Sequence, residues 1–196
     1  MRKVFVLFII LLSGCSVSAP LITDYRINPN VNIKRTPEIS QKQSIKILPI
    51  FSNSSLSTNA MHYRVGKYKE YTFTQSAWRE SPSKAITNKL VNILEKSELF
   101  QGVYGYKSSK NPELILEVSI NEFIQSFNEA ENQSFVTVDI SFNLIEQKRS
   151  KFIASKNFTK TMQTKTLDAQ GGVEALNELL SQVLEETIVW LEKSSL

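Results

Sequence analysis

The feature that most constrains the fold is a strict alternation of apolar and polar residues over positions 136–144. Polar side chains separate five apolar ones, which are Val136, Val138, Ile140, Phe142 and Leu144. Successive side chains of a β-strand point to opposite faces, so this period of two predicts a strand with one buried and one solvated face. A chain that contains such a strand must build a sheet and cover one side of it.

Two further segments, residues 114–121 and 152–158, are predicted to be strands of the same kind. The second of them places Phe152, Ala154 and Phe158 on its apolar side. Only the polar link 128–132 and the basic link 148–150 separate the three strands. Links this short join antiparallel neighbours, so the pattern predicts an antiparallel meander.

Earlier in the chain, shorter strands are predicted. Residues 44–50 form one, with Pro49 at its end or on an edge because proline cannot donate to a ladder. Residues 61–65 and 68–73 form a pair around a Gly66-Lys67 turn. The remaining assignments are a loop at 52–59, a connection at 75–80 and a short strand around 103–104.

Two helices complete the pattern. The first begins with Ser81 as N-cap and Pro82 at the first helical position, and it continues to about Lys96. The second runs from about Val173 to Leu191, after a Gly171-Gly172 turn. Its apolar stripe comprises Val173, Leu176, Leu180, Val183, Leu184, Thr187, Ile188 and Leu191. The order predicts a single α+β domain, with a mainly antiparallel sheet and both helices on one face.

The N-terminus has the features of an export signal. Basic residues precede the apolar run Val4–Leu12, which is too short to span a bilayer, and small residues lead to the only cysteine. Leu12-Ser13-Gly14-Cys15 resembles the bacterial lipobox, which implies that residues 1–14 are removed and Cys15 is acylated. The alternative is an ordinary secreted protein with a stray cysteine.

The predicted organisation is a signal peptide at 1–14, a lipidated flexible tether at 15–40 and an α+β domain at 41–196. The tether contains Pro20, Pro29 and Pro37 among polar residues, and residues 21–25 within it are a candidate short strand. Ser16 follows the cysteine. An aspartate there resembles an inner-membrane retention signal, so its absence favours anchoring in the outer membrane, facing the periplasm.

Composition argues against several classes of function. The sequence has 23 basic and 19 acidic residues, and loss of Arg2 and Lys3 with the signal leaves 21 − 19, or +2. No Lys/Arg run marks a nucleic-acid site. One histidine, His62, and an acylated cysteine argue against zinc. No Gly-x-Ser-x-Gly motif occurs, so we expect no enzyme activity and no cofactor.

Several residues have two interpretations each. The aromatic group Tyr63, Tyr68, Tyr71, Phe73 and Trp78 could dock a partner or lipid, or could fill the core and brace the hairpin. Arg64 and Arg79 could meet lipid phosphate or pair with Glu70 and Glu80. Gly171-Gly172 could bind an anion or simply form a turn. The stripe of the last helix could be wholly buried or could contact a neighbouring subunit.

From residue 45 onward the chain resembles the ABC-type transport auxiliary lipoproteins, a PqiC-like family. The resemblance rests on a series of short features in order, which are the Ile-Lys-Ile-Leu-Pro strand, Tyr63-Arg64, Glu70-Tyr71, Trp78, Pro82, Leu99-Phe100, Val103, the strand 114–123 and Trp190. The loop at 52–59 departs from it, because it carries no clear family signature.

The resemblance implies a membrane-anchored periplasmic subunit of an MCE-type transport system that moves phospholipid or other hydrophobic molecules between membranes. Its partners would be the MCE-domain and ABC transporter subunits, and the resemblance permits assembly of several copies. The subunit would perform no chemistry. The rival hypothesis is a structural lipoprotein of another cell-envelope complex, such as secretion, pilus or peptidoglycan machinery.

Overall fold

The structure of the protein is a computed structural model, and it describes residues 20–33 and 41–195. The strands are β1 (Thr23–Tyr25), β2 (Gln41–Ile47), β3 (Phe51–Ser52), β4 (Ala60–Val65), β5 (Lys69–Trp78), β6 (Phe100–Gly105), β7 (Leu114–Phe127), β8 (Ser134–Glu146) and β9 (Lys151–Gln163). The helices are α1 (Pro82–Ser97), α2 (Ala169–Ser194) and a 3-10 turn at Ser54–Ser57. The α+β prediction is confirmed.

Strand β7 is the centre of the sheet. One of its edges pairs with antiparallel β8 along the whole strand, and β8 pairs in turn with antiparallel β9. The predicted meander is therefore confirmed. The other edge of β7 carries three parallel strands in succession, which are β2, β3 and β4. The sheet is thus mixed, because β2, β3 and β4 follow one another along the same edge of β7 and run in its direction.

Both helices pack into one core against the sheet. The alternating residues of β7 and β8, including Leu116 and Ile140, contact the apolar stripe of α2 and the inner face of α1. In α2 the predicted stripe is buried from Val173 to Leu191, with Ile188 partly buried. The stripe therefore packs within this chain, in agreement with the first of its two interpretations.

The start of α2 differs from the prediction. Gly171 and Gly172 lie in the first turn of the helix rather than before it, because the helix begins at Ala169. Asp168 is the N-cap, and its carboxylate accepts the N–H of Gly171 at 2.9 Å and the hydroxyl of Thr166 at 2.6 Å. The glycines therefore make no separate turn or anion site, since the Asp168 carboxylate occupies the N-terminus of the helix.

This cap predicts a pH-dependent stability. The N–H of Gly171 and then the hydroxyl of Thr166 lower the pKa of Asp168 below its ordinary value of 3.8. A lowered folded-state pKa gives stability that is present above the unfolded pKa and is lost as pH falls through the folded one. We expect Asp168→Ala to cost about 1 kcal/mol at pH 7. In urea unfolding, this difference should shrink below pH 3.8.

Asp168→Asn is the matched control, because asparagine keeps the capping oxygen but has no charge to titrate. At pH 7 its free energy of unfolding should exceed that of Asp168→Ala, and the difference between these two variants should not change with pH. A deficit of Asp168→Ala that did not change with pH would contradict the assigned role of the carboxylate.

Two connections are more ordered than predicted. Residues 75–78 continue strand β5, because β1 pairs with them in parallel from Thr23↔Ser76 to Tyr25↔Trp78. The loop at 52–59 contains the 3-10 turn, which Asn53 caps by accepting the N–H of Leu56 at 3.2 Å. In both places backbone N–H and C=O groups bond to other parts of the protein, whereas those of an exposed loop would bond to water.

One side chain of β9 faces the opposite way from its prediction. Leu144 pairs with Ala154, but the next residue, Ile145, pairs with Phe152, so Ile153 is an extra residue in the strand. A bulge of this kind reverses the alternation on one side of it. Phe152 consequently lies on the solvent face with 59% of its surface exposed.

The described part of the predicted tether, residues 20–33, lies against the domain. Strand β1 extends the sheet, and Ile27 is buried. The N–H groups of Asn28 and Asn32 donate to Asn177 and Glu185 on α2, at 2.6 and 2.7 Å. This part is packed rather than free coil. The signal peptide 1–14, Cys15 and residues 34–40 lie outside the described residues, and the predicted domain boundaries remain predictions.

Candidate functional site

A groove of about 780 Å³ lies beside α1 on the surface of the domain. Its walls are the outer face of α1, the chain leaving β2 and the chain leaving β6. The lining residues are Pro49, Ile50, Ser83, Lys84, Thr87, Asn88, Val91, Asn92, Glu95, Gly105, Tyr106, Lys107 and Ser108. Its volume is in the range of ligand pockets, and its wall mixes apolar with polar side chains.

The sequence positions these walls in two ways. In α1 the buried positions, such as Ile86 and Leu90, face the core, so the residues between them face outward and line the groove. On the other side, β2 and β6 end at the same level, since Ile47 pairs with Gly105. Beyond this level the chain leaving β2 stays beside β7, where Phe51 pairs with Ser119. The chain leaving β6 turns instead, and the N–H of Ser108 donates to the carbonyl of Gly105 at 3.0 Å.

The charges at the groove are held by local pairs. Lys84 Nζ lies 2.6 Å from Glu80 Oε1, and this hydrogen bond raises the pKa of Lys84. Lys107 Nζ lies 5.7 Å from the ring centroid of Tyr106. Both pairs are exposed to solvent, where such contacts contribute little to stability. With Glu95, the lining carries charged side chains of both signs.

The lining of the groove contains several hydroxyl groups. Its hydroxyls include Thr87 Oγ1, which donates to the carbonyl of Ser83 at 2.7 Å, as an ordinary helical threonine does. The lining contains neither histidine nor cysteine. A nucleophile needs a base within hydrogen-bond reach, and this lining contains no such pair.

The sequence provided no signal for this groove. Its residues come from three separate segments, and those on α1 have the composition of an ordinary solvated helix face. Only the shared level of the ends of β2 and β6 brings the segments together. Tyr106 could have been noticed as an aromatic residue directly after a predicted strand.

The aromatic group is divided between two environments. Trp78 is 4% exposed and packs against Phe123, while Tyr63 packs against Phe73 at 4.4 Å between ring centroids. These three residues fill the core or brace the hairpin, as one interpretation predicted. Tyr71 is half exposed, and Tyr68 is 85% exposed at the tip of the β4–β5 hairpin.

His62 and Arg64 lie in a polar cluster on the other face of the sheet. His62 Nδ1 lies 3.3 Å from Thr72 Oγ1 and 3.7 Å from Glu70 Oε1. Arg64 pairs with Glu122 on β7, at 3.1 Å, rather than with Glu70 as considered from the sequence. Likewise Glu80 pairs with Lys84. These partly exposed contacts tie neighbouring strands together.

Neither residues 20–33 nor 41–195 contain a group of three or more His, Cys, Asp or Glu side chains arranged to hold a metal ion. Over the same ranges, no helix has both the length and the apolar character needed to cross a membrane.

The sequence match decides the family. A family model described as the ABC-type transport auxiliary lipoprotein component matches residues 25–187. The chain belongs to this family. The match includes strands β2 to β9, both helices up to Thr187, and the groove. As a family member, the chain is an auxiliary lipoprotein of the cell envelope that serves an ABC-type transport system.

Solved structures show the same fold. A protein of Xanthomonas campestris, XCC0632, superposes with a TM-score of 0.77 at 15% identity, over 88% of this chain and 96% of its own. The hypothetical protein CT253 of Chlamydia trachomatis gives a TM-score of 0.54 at 9% identity, over 79% of this chain and 98% of its own. A search of curated proteins gives no match. At these identities the likeness concerns the fold alone.

Proposed function

We propose that this family member is a non-catalytic docking component of an MCE-type system that carries phospholipid between the two membranes. The observation that carries the proposal is the family match over residues 25–187, together with a lipobox at the start of the same chain. A lipid-anchored domain that binds through an exposed groove can hold a transport machine at a membrane. Its partners would be the MCE-domain and ABC transporter subunits.

The proposed anchor is Cys15, acylated after removal of residues 1–14. One acyl chain binds a bilayer only marginally, whereas two or three hold a protein firmly, at about 0.8 kcal/mol per buried methylene. Ser16 supports delivery to the outer membrane, with the domain in the periplasm. The groove lies level with Leu116, eleven residues before the end of β7. It is the surface that we propose for the transport subunit.

Affinity recovery tests this function. The full protein, tagged at its C-terminus, would be extracted from membranes in mild detergent and its bound partners identified. We expect MCE-domain or ABC transporter subunits. Recovery of a secretion, pilus or peptidoglycan-synthesis complex in their place would support the rival function, and recovery of neither would also contradict the proposal.

The groove makes a specific prediction. We expect Tyr106→Ala to reduce recovery of the transport subunit about tenfold, because an aromatic side chain in an interface typically contributes 1–2 kcal/mol to binding. Quantitative mass spectrometry of the recovered complex measures this. Phe152→Ala is the matched control, since Phe152 is an exposed aromatic residue outside the groove. Equal loss in both variants would remove the groove from the docking surface.

A further inference from the structure

The tip of the β4–β5 hairpin presents an exposed aromatic residue on a fixed support. Tyr68 is 85% exposed, and Lys67 Nζ lies 5.2 Å from its ring centroid. The tip does not swing freely, because the N–H of Gly66 donates to the carbonyl of Phe127 at 2.9 Å. Gly66 has φ +60, and a Cβ there would lie 2.0 Å from Glu129 Oε1. The end of β7 therefore holds Tyr68 outward.

Strand β1 points back towards this same end of the sheet. It is parallel to β5, with Thr23 opposite Ser76, so the direction backwards from Thr23 leads towards the hairpin tip. The hairpin extends five residues of β4 beyond the level of Ala77, since Ala60 pairs with Ala77 and Val65 with Lys69. Five residues of strand cover about 17 Å. Cys15 is eight residues before Thr23 (23 − 15).

The length of the predicted anchor relates the membrane to the tip. Whatever path the residues before Thr23 take, eight of them span at most about 29 Å. The tip projects about 17 Å beyond the level of Asp24, which is within this reach. An acylated Cys15 that leaves the domain in the direction of β1 can therefore hold the bilayer surface at the level of Tyr68. Leu21, which lies on this path, is also exposed.

The charge at this end suits a phospholipid surface that is neutral overall. Lys69 pairs with Glu129 at 3.2 Å, and the neighbouring turn also carries Glu131. Together with Lys67, this end of the sheet carries two basic and two acidic side chains. A balanced set of charges is not attracted strongly to an anionic surface. Tyrosine sits at the level of the lipid headgroups, however, and a lysine beside it can reach phosphate.

We propose that the hairpin tip, Gly66–Tyr68, rests in the headgroup layer of a phospholipid bilayer as a second membrane contact. It would fix the orientation of the domain, which the lipid at Cys15 alone leaves free. The inference rests on the proposed acylation of Cys15 and goes beyond it, because it assigns a membrane role to residues of the folded domain.

Fluorescence quenching tests the contact. Full-length acylated protein with Tyr68→Trp would be reconstituted in phosphatidylcholine vesicles that contain brominated phosphatidylcholine. Emission from the wild type, which retains Trp78 and Trp190, is subtracted. The bromines quench an indole at the headgroup level, so we expect the Trp at position 68 to lose at least about half of its emission. Its emission should also shift to shorter wavelength.

Phe152→Trp is the matched control. Phe152 is an exposed aromatic residue that lies across from Ile145 and Ile115. Ile115 is twelve residues before the end of β7, and because Asn121 is an extra residue in the strand, this is about 36 Å along the sheet. We expect no quenching there. Equal quenching, or none, at both positions in protein that floats with the vesicles would overturn the membrane contact alone. Protein that does not float would overturn the acylation as well, and the contact that rests on it.

Discussion

Replacement of Cys15 by serine is expected to move the protein from the membrane fraction to the soluble periplasmic fraction. Serine provides no thiol for acylation, so the acyl chains that would hold the protein in the bilayer are absent. No helix among the described residues can span a membrane in their place. The hairpin tip offers a single aromatic side chain, which is too small an anchor by itself. We therefore expect more than about 90% of the protein to leave the membrane pellet, since stable anchoring needs two membrane signals.

Fractionation followed by immunoblotting measures this change, and mass spectrometry of the mature N-terminus identifies the acylated residue. Ser16→Ala is the matched control, because it changes the next residue and keeps the thiol. That variant should remain in the membrane fraction. A Cys15→Ser protein that has lost residues 1–14, as shown by mass spectrometry of its N-terminus, and still stays in the pellet after a high-salt wash would refute the anchor and would favour attachment through a protein partner.

The strands and helices that the sequence predicts well are those whose signal is local. The alternation over residues 136–144 depends only on the period of a strand, and β8 forms there with the predicted face buried. The start of α1 follows from Ser81 and Pro82 in the same way, although the Ser81 side chain makes no capping hydrogen bond. Short links then fixed the antiparallel order of β7, β8 and β9.

What the sequence could not show depends on contacts between distant segments. The parallel pairing of β2, β3 and β4 with β7 is set by crossover connections, which leave no pattern in the strands themselves. The bulge at Ile153 changes the face of Phe152 without any glycine or proline to mark it. The groove likewise exists only because β2 and β6 end at one level.

The two glycines of α2 show how tertiary contact can override local preference. Glycine is the poorest helix former apart from proline, so Gly171-Gly172 was interpreted as a turn. In the structure another part of the chain comes too close for a side chain. A Cβ on Gly172 would lie 2.1 Å from Oε1 of buried Gln125, whose amide donates to Ser134 and to the carbonyl of Asp168. A Cβ on Gly171 would come equally close to Thr166, which lies just before the helix.

Gly171→Ala is therefore expected to destabilise the protein, although the same change within a helix ordinarily stabilises by about 0.5–1 kcal/mol. The added Cβ would lie 2.7 Å from the carbonyl oxygen of Thr166 and 3.0 Å from its nitrogen. These are backbone atoms, so the clash cannot be relieved by turning a side chain. The first turn would have to move away from Thr166 and weaken the cap by Asp168. We expect a loss of about 2–3 kcal/mol in the free energy of unfolding, measured in urea.

Gln170→Ala is the matched control, since residue 170 lies in the same turn with an exposed side chain that bonds only to Glu174. Its effect should stay within about 0.5 kcal/mol of the wild type, the size of one exposed pair on a helix. If Gly171→Ala were as stable as Gln170→Ala, the close approach of Thr166 could not be the reason for a glycine at this position. The double variant Gly171→Ala with Thr166→Gly removes the hydroxyl but keeps the backbone contacts at 2.7 and 3.0 Å. If the loss of stability caused by Gly171→Ala disappeared in this background, the clash would be with the hydroxyl instead.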